Sequence, residues 1–170
     1  YLHWRWFTTL PTDTWSIDWI VGIVFIVLET ATAMGAVFTY VILTRTKSRS
    51  GDATANLKWL KALPKPPLVD VFICTYNEDE QILERTIIGA LSIKYANHRV
   101  WVLDDGRRDW LRQMCDTLGC GYITRVDNSH AKAGNINNAL RVIGALPDRP
   151  EYVSILDADF VPAPEFISRT

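Results

Sequence analysis

The chain has 170 residues, 48% of them apolar, and a formal net charge of −1. That length holds one domain of ordinary size plus a small attachment, and the apolar share allows a sizeable core. The near-zero charge excludes the basic footprint of nucleic-acid binding, so nucleic acid is not an expected partner.

The opening stretch, Tyr1-Leu-His-Trp-Arg-Trp-Phe7, is aromatic and has no signal-peptide layout. Without a starting Met it reads as cut from something longer. Residues 1–18 are expected to form an interfacial, extracytoplasmic segment. From Trp19 to Leu43 nearly every residue is apolar or small, and Glu29 is the sole charge. A helix over residues 19–43 reaches about 37 Å, enough to cross a bilayer core of about 30 Å with some tilt. Trp15 and Trp19 sit at one end, as interfacial aromatics do, and Arg45, Lys47 and Arg49 follow the other. The loop before the span carries two Asp and no Lys or Arg, so the positive-inside rule puts everything after Thr44 in the cytoplasm. Glu29 is costly at mid-membrane and should meet a hydrogen-bonding neighbour helix or a polar path rather than lipid.

Residues 44–67 read as a basic cytoplasmic linker with a short helix from Asp52 to Leu63. Leu57, Leu60 and Leu63 form one stripe with Trp59 beside it, which suits a helix on the inner leaflet or a solvated linker helix. Pro64, Pro66 and Pro67 end it and mark a domain boundary. From residue 68 strands and helices alternate. Strands are expected at Leu68–Cys74, Val100–Leu103, Tyr122–Val126 and Tyr152–Leu156. Helices are expected at Glu80–Ile93, Asp109–Leu118 and Gly134–Leu146. That order implies an α/β fold, a largely parallel sheet with helices on both faces. Cys74, Cys115 and Cys120 make no zinc or redox spacing and are expected as buried, reduced thiols of a reducing cytosol.

In such sheets ligands bind beyond the carboxyl ends of the strands. Each expected strand ends in polar residues: Thr75-Tyr76-Asn77-Glu78, Asp104-Asp105-Gly106, Asp127 through Asn135, and Asp157-Ala-Asp159. Crowded carboxylates repel unless a cation or donor groups hold them. A hard divalent ion bound partly by carboxylates and partly by substrate phosphates resolves that conflict. Asp157 and Asp159, one residue apart past a strand, suit a shared metal–diphosphate task. Asp104 or Asp105 can accept from a base N–H or a ribose hydroxyl, while Asp109 is the expected cap of the helix that follows. Lys132 beside a helix start makes a phosphate site. His130 is expected to pack or orient.

Four strings carry a resemblance: Val69-Asp-Val-Phe-Ile-Cys-Thr-Tyr-Asn-Glu78, Val102-Leu-Asp-Asp-Gly-Arg-Arg108, His130-Ala-Lys-Ala-Gly-Asn-Ile-Asn137 and Leu156-Asp-Ala-Asp-Phe-Val-Pro162. Together they resemble the family 2 glycosyltransferases, and within them the bacterial cellulose synthase catalytic subunits. The resemblance implies a GT-A fold, Rossmann-like with a mostly parallel sheet, of which residues 68–170 are the N-terminal part. It implies inverting transfer of glucose from UDP-glucose to a growing glucan chain at the bacterial inner membrane, with the catalytic part cytoplasmic. It implies that Thr75, Tyr76, Glu78 and Asp104 or Asp105 hold the uridine. Lys132 lies near the diphosphate, Asp157 contacts the nucleotide, and Asp159 binds Mg²⁺ or Mn²⁺. The lipid bilayer and membrane partner subunits are the other implied partners. The family's later Thr-Glu-Asp string, with its general base, and its Gln-x-x-Arg-Trp string do not occur before Thr170, so residues 1–170 alone are expected to be inactive. Asp79 stands where many relatives carry Pro.

Three other readings stay open on the residues. Ser154-Ile-Leu-Asp157-Ala-Asp159 also fits the first motif of haloacid-dehalogenase-type phosphatases. A sugar-nucleotide-binding membrane subunit without catalysis, or the synthase of another β-linked polysaccharide, is compatible with the same strings.

Overall fold

The computed structural model describes residues 1–170, which form two units, Tyr1–Ser48 and Arg49–Thr170. The first unit is a pair of helices, α1 (Leu2–Thr8) and α2 (Ile17–Thr44). Ser16 caps α2 by accepting from the Trp19 N–H at 3.2 Å, and Asp18 adds negative charge to the first turn, where the helix dipole favours it. The helix is long and apolar enough to cross a membrane. α1 runs back along it: Arg5 donates to Glu29 at 2.9 Å, the Trp6 indole donates to the Thr30 hydroxyl at 3.2 Å, and Leu10 packs over Gly22. Glu29, expected to seek a neighbouring helix, thus finds a cation within its own chain.

The second unit opens with α3 (Ser50–Ala62), whose half-buried Leu57 and Leu60 share its inner side, and α7 (Phe166–Arg169) packs against this helix. Beyond the prolines, the Tyr95 hydroxyl and the Asn97 amide donate to the carbonyls of Pro67 and Pro66, both at 2.8 Å, and tie the linker to the sheet. The sheet has four parallel strands in the order β3-β2-β1-β4: β1 (Val69–Thr75), β2 (His98–Asp104), β3 (Gly121–Ile123) and β4 (Tyr152–Asp157).

Every residue of β1 is buried, as a strand flanked on both edges and covered on both faces requires. Side chains alternate between the faces. Val71 and Ile73 join Leu83 and Ile87 of α4 (Glu80–Leu91) and Leu111 and Cys115 of α5 (Asp109–Leu118). Phe72 and Cys74 join Leu103 and the Ala139 and Ile143 side chains of α6 (Ala131–Gly144). At the amino ends of the strands the fully buried Asp70 takes a forked pair of bonds from Arg99 of the neighbouring strand, at 2.7 and 2.9 Å, and Asp148 holds the same arginine. Packing and charge therefore lock the end of the sheet opposite the polar clusters.

Among the expected elements β3 and α6 depart furthest, each by three residues at one end. β3 stops at Ile123 rather than running to Val126. There the Thr124 hydroxyl donates to the Asp104 carbonyl, and Arg125 turns to Asp105, so side chains replace the ladder. α6 starts at Ala131 rather than Gly134, after His130 and Ala131 adopt positive φ of 62° and 45°. Left-handed backbone at residues other than glycine costs about 1–3 kcal/mol each and persists only where the surroundings fix it.

Candidate active site

The carboxyl ends of β1, β2 and β4 and the start of α6 surround one cleft of about 620 Å³. Thr75, Tyr76 and Glu78 line it from β1, Asp105 from β2, Lys132 from α6, and Asp157 and Asp159 from β4 and the turn after it. Seven of the eight residues singled out by sequence thus converge. Asp104 lies behind the cleft, fully buried.

The turn after β1 is held by its own carboxylate. Glu78 Oε2 accepts from the Thr75 hydroxyl at 2.5 Å and from the Tyr76 and Asn77 amides at 2.8 and 3.1 Å. Burial alone would raise the Glu78 pKa, but those hydrogen bonds outweigh it and hold the group below its ordinary value. Tyr76 is left exposed at the mouth, where a ring can stack on a planar ligand.

Adjacent residues of a strand point to opposite faces, and Asp104 and Asp105 do different work. Asp104 accepts from the Gly106 amide at 2.8 Å, the Arg108 amide at 2.7 Å, the Arg108 guanidinium at 3.0 Å and the Tyr122 hydroxyl at 2.8 Å. Burial, and then this bond to Asp104, push the Tyr122 phenol upward. Arg108 also donates to Thr75 Oγ1 at 2.7 Å and to the Glu78 carbonyl at 2.8 Å, which couples Asp104 to the β1 turn. Gly106 fits because a Cβ there would press on the Tyr76 carbonyl. The N-cap position of α5 is Arg108, whose own amide donates to Asp104, and no side chain caps the helix; Asp109, expected in that role, sits inside the first turn. Asp105, by contrast, faces the cleft.

Lys132 and Asp157 form an ion pair across the cleft. The hydrogen bond to Asp157 raises the lysine's pKa, so it stays charged. The first amides of α6 lack intrahelical acceptors and add positive character beside it. Asp159 is exposed, and its carboxylate makes no hydrogen bond or ion pair. No three His, Cys, Asp or Glu side chains converge into a cage made of protein alone. A hard cation held by one or two carboxylates and completed by phosphate and water needs no such cage, and Asp157 and Asp159 fit that pattern.

His130, expected to pack or orient, is exposed at the N-cap of α6. Several lining residues stand in the quoted strings without a role of their own. Asn135 is buried, donates to the Leu103 carbonyl at 2.9 Å and leaves its own carbonyl oxygen unpartnered. Asn128 and Cys74 also line the cleft, and burial pushes the Cys74 thiol up to about 11, so it is no nucleophile at neutral pH. Arg108 is legible in sequence only as the end of the Val102–Arg108 string, and Arg125 only as a basic residue ahead of the Asp127–Asn135 cluster.

A family model, glycosyl transferase family 2, matches residues 70–170. The chain is 39% identical over 170 residues to the UDP-forming cellulose synthase catalytic subunit of Pseudomonas fluorescens strain SBW25, covering 98% of this chain and 21% of that one. It therefore spans about a fifth of that relative's length. Among solved structures it is similar to a mannosyltransferase of Pyrobaculum calidifontis in complex with GDP-mannose and Mn²⁺, with a TM-score of 0.54 and 24% identity over 84% of this chain and 41% of that one. It is also similar to the glucosyl-3-phosphoglycerate synthase of Mycobacterium tuberculosis with Mn²⁺, UDP and glucosyl-3-phosphoglycerate, with a TM-score of 0.52 and 22% identity over 72% and 43% of the two chains. Those two likenesses are of fold, the parallel α/β sheet of the GT-A enzymes.

Proposed function

Because the chain belongs to the family 2 glycosyltransferases, we propose that it is the front part of a membrane-bound, processive synthase that transfers glucose from UDP-glucose to a growing β-glucan. The observation that carries the reading is the convergence, on one cleft, of the Glu78 turn, Asp105, the Lys132–Asp157 pair and an uncommitted Asp159. The 39% identity to a UDP-forming cellulose synthase subunit supports the choice of donor and product. Family membership leaves the phosphatase reading of Asp157 and Asp159 without support.

In this reading Tyr76 and the Thr75–Glu78 turn hold the uridine, with Asp105 at the wall beside them. Breaking the sugar–phosphate bond builds negative charge on UDP. Lys132 and the amide end of α6 stabilise that charge in place, and such preorganised electrostatics is the largest single contribution in many enzymes. Asp159 would hold Mg²⁺ or Mn²⁺, with Asp157 on the nucleotide beside it; that ion, when bound, neutralises charge on the leaving diphosphate. Mn²⁺ in both structural neighbours supports a divalent ion here. The acceptor hydroxyl attacks from the opposite face with a base from outside residues 1–170. The apolar α2 and the basic Arg45, Lys47 and Arg49 after it support a span in the bacterial inner membrane with the cleft in the cytoplasm.

The test is Asp159→Asn in the full-length enzyme, which keeps the shape and removes the charge. UDP binding by calorimetry should lose its dependence on Mg²⁺ or Mn²⁺, and incorporation from labelled UDP-glucose should fall by at least about two orders of magnitude. Intact metal-dependent binding and intact transfer would remove Asp159 from the site and take this reading of the cleft with it.

A further inference from the structure

Arg125 lies just past β3 with its side chain nearly buried, and its guanidinium joins two parts of the cleft. Toward β2, Nε and Nη2 donate to the two oxygens of Asp105 at 2.6 and 2.7 Å. Toward α6, Nη1 donates to the Ser129 carbonyl at 2.5 Å and Nη2 to the Ala131 carbonyl at 2.9 Å. Those two carbonyls bracket His130 and Ala131, the two consecutive residues with positive φ. A strained backbone of this kind stays put only when its surroundings over-determine it, and the guanidinium is what touches it on both sides. Gly134 completes the arrangement: a Cβ there would collide with the Ser129 carbonyl and with Arg125 Nη1. The residue that follows the strained pair is Lys132, already paired with Asp157.

We infer that Arg125, anchored by Asp105, is a positioning residue that fixes the strained start of α6 and thereby sets Lys132 against the diphosphate of the donor. The inference rests on the donor-site reading above. It also gives Asp105 a second task, since both its oxygens already accept from Arg125. A planar fork that engages a carboxylate and two carbonyls at once is beyond a lysine, whose ammonium is a single point on a flexible stem. Loss of the fork releases residues 128–131, and Lys132 then reaches the cleft from a range of positions instead of one.

The experiment uses the full-length protein in detergent with Arg125→Gln, Arg125→Lys, Lys132→Met and the Arg125→Gln/Lys132→Met double variant. Amide hydrogen exchange without nucleotide reads the clamp directly. Both Arg125 variants should speed exchange over residues 128–135 and leave α5 unchanged. Calorimetric titration with UDP in Mg²⁺ reads the coupling. Each single variant should weaken binding about tenfold, the scale of losing a charge-assisted contact. The double variant should be within about twofold of Lys132→Met, because residues that act through one another are not additive. Losses that multiply would show Arg125 acting apart from Lys132, and unchanged exchange over residues 128–135, or full rescue by Arg125→Lys, would overturn the clamp. If the wild-type protein fails to bind UDP, the donor-site reading falls, and the exchange result alone decides the clamp.

Discussion

Replacing Asp104 by Ala tests whether the carboxylate behind the cleft is a support rather than a ligand contact. The substitution leaves the amides of Gly106 and Arg108 and the Tyr122 hydroxyl without their acceptor, and removes the partner of a guanidinium that is itself largely buried. Breaking a buried ion pair from one side costs about 3–5 kcal/mol. For a unit the size of Arg49–Thr170, each kcal/mol moves the melting temperature by roughly 3–6 °C, so Asp104→Ala should melt at least about 10 °C lower. Asp104→Asn keeps the shape and some acceptor capacity and should lose about 1.5–3 kcal/mol, the range for a hydrogen bond to a charged group. Asp109→Asn, at a carboxylate with no cap bond, should melt with the wild type. The assay is near-ultraviolet circular dichroism against temperature on the full-length protein in detergent, with UDP affinity measured far below the melting range. An Asp104→Ala protein that melts within about 2 °C of wild type refutes the argument from buried pairs. An Asp104→Asn protein of normal stability that no longer binds UDP would make Asp104 a donor contact instead.

Gly134→Ala should destabilise the protein by about 1–3 kcal/mol, the usual cost of overpacking, and loosen UDP binding, since the new methyl group meets the Ser129 carbonyl and Arg125; denaturant unfolding and calorimetry check it. Glu78 is held below its ordinary value when folded, so the unfolded chain takes up the proton first as pH falls. Stability from this group is present above about pH 4.3 and is lost as pH drops through the lower folded value. Glu78→Gln should therefore flatten the acid limb of melting temperature against pH, and an unchanged slope between pH 5 and 3 would count against it. Lys47→Cys should escape an impermeant thiol reagent in intact cells and react after permeabilisation; ready labelling of intact cells reverses the proposed orientation.

The order of strands and helices was legible because the apolar runs at residues 69–75 and 152–157 and the helical period at 80–91 are local signals. The cleft was legible because polar strings follow each strand, and a parallel sheet brings all carboxyl ends to one edge. What stayed hidden depends on contacts distant in sequence. Asp104 and Asp105 are indistinguishable as letters, yet strand alternation sends one to Arg108 and Tyr122 and the other to the cleft and Arg125. The early start of α6 was invisible for the same reason, because Ala131 has no local preference for positive φ and is held by a guanidinium six residues upstream. Arg5 and Glu29 are 24 residues apart, and only the turn between α1 and α2 makes them neighbours.

β1 is made first among the strands and ends up in the middle of the sheet, with β2 on one side and β4 on the other. On the ribosome its second edge must wait for Tyr152, about 80 residues after Val69. At 5–20 residues per second that is a delay of roughly 4–16 s. Throughout it a strand of Val, Phe, Ile and Cys presents unpaired amides and carbonyls, a template for the wrong partner. Translation pace between residues 75 and 152 therefore sets how long that edge stays open. Synonymous codon changes that lengthen the interval should lower the yield of folded protein while leaving every finished molecule the same.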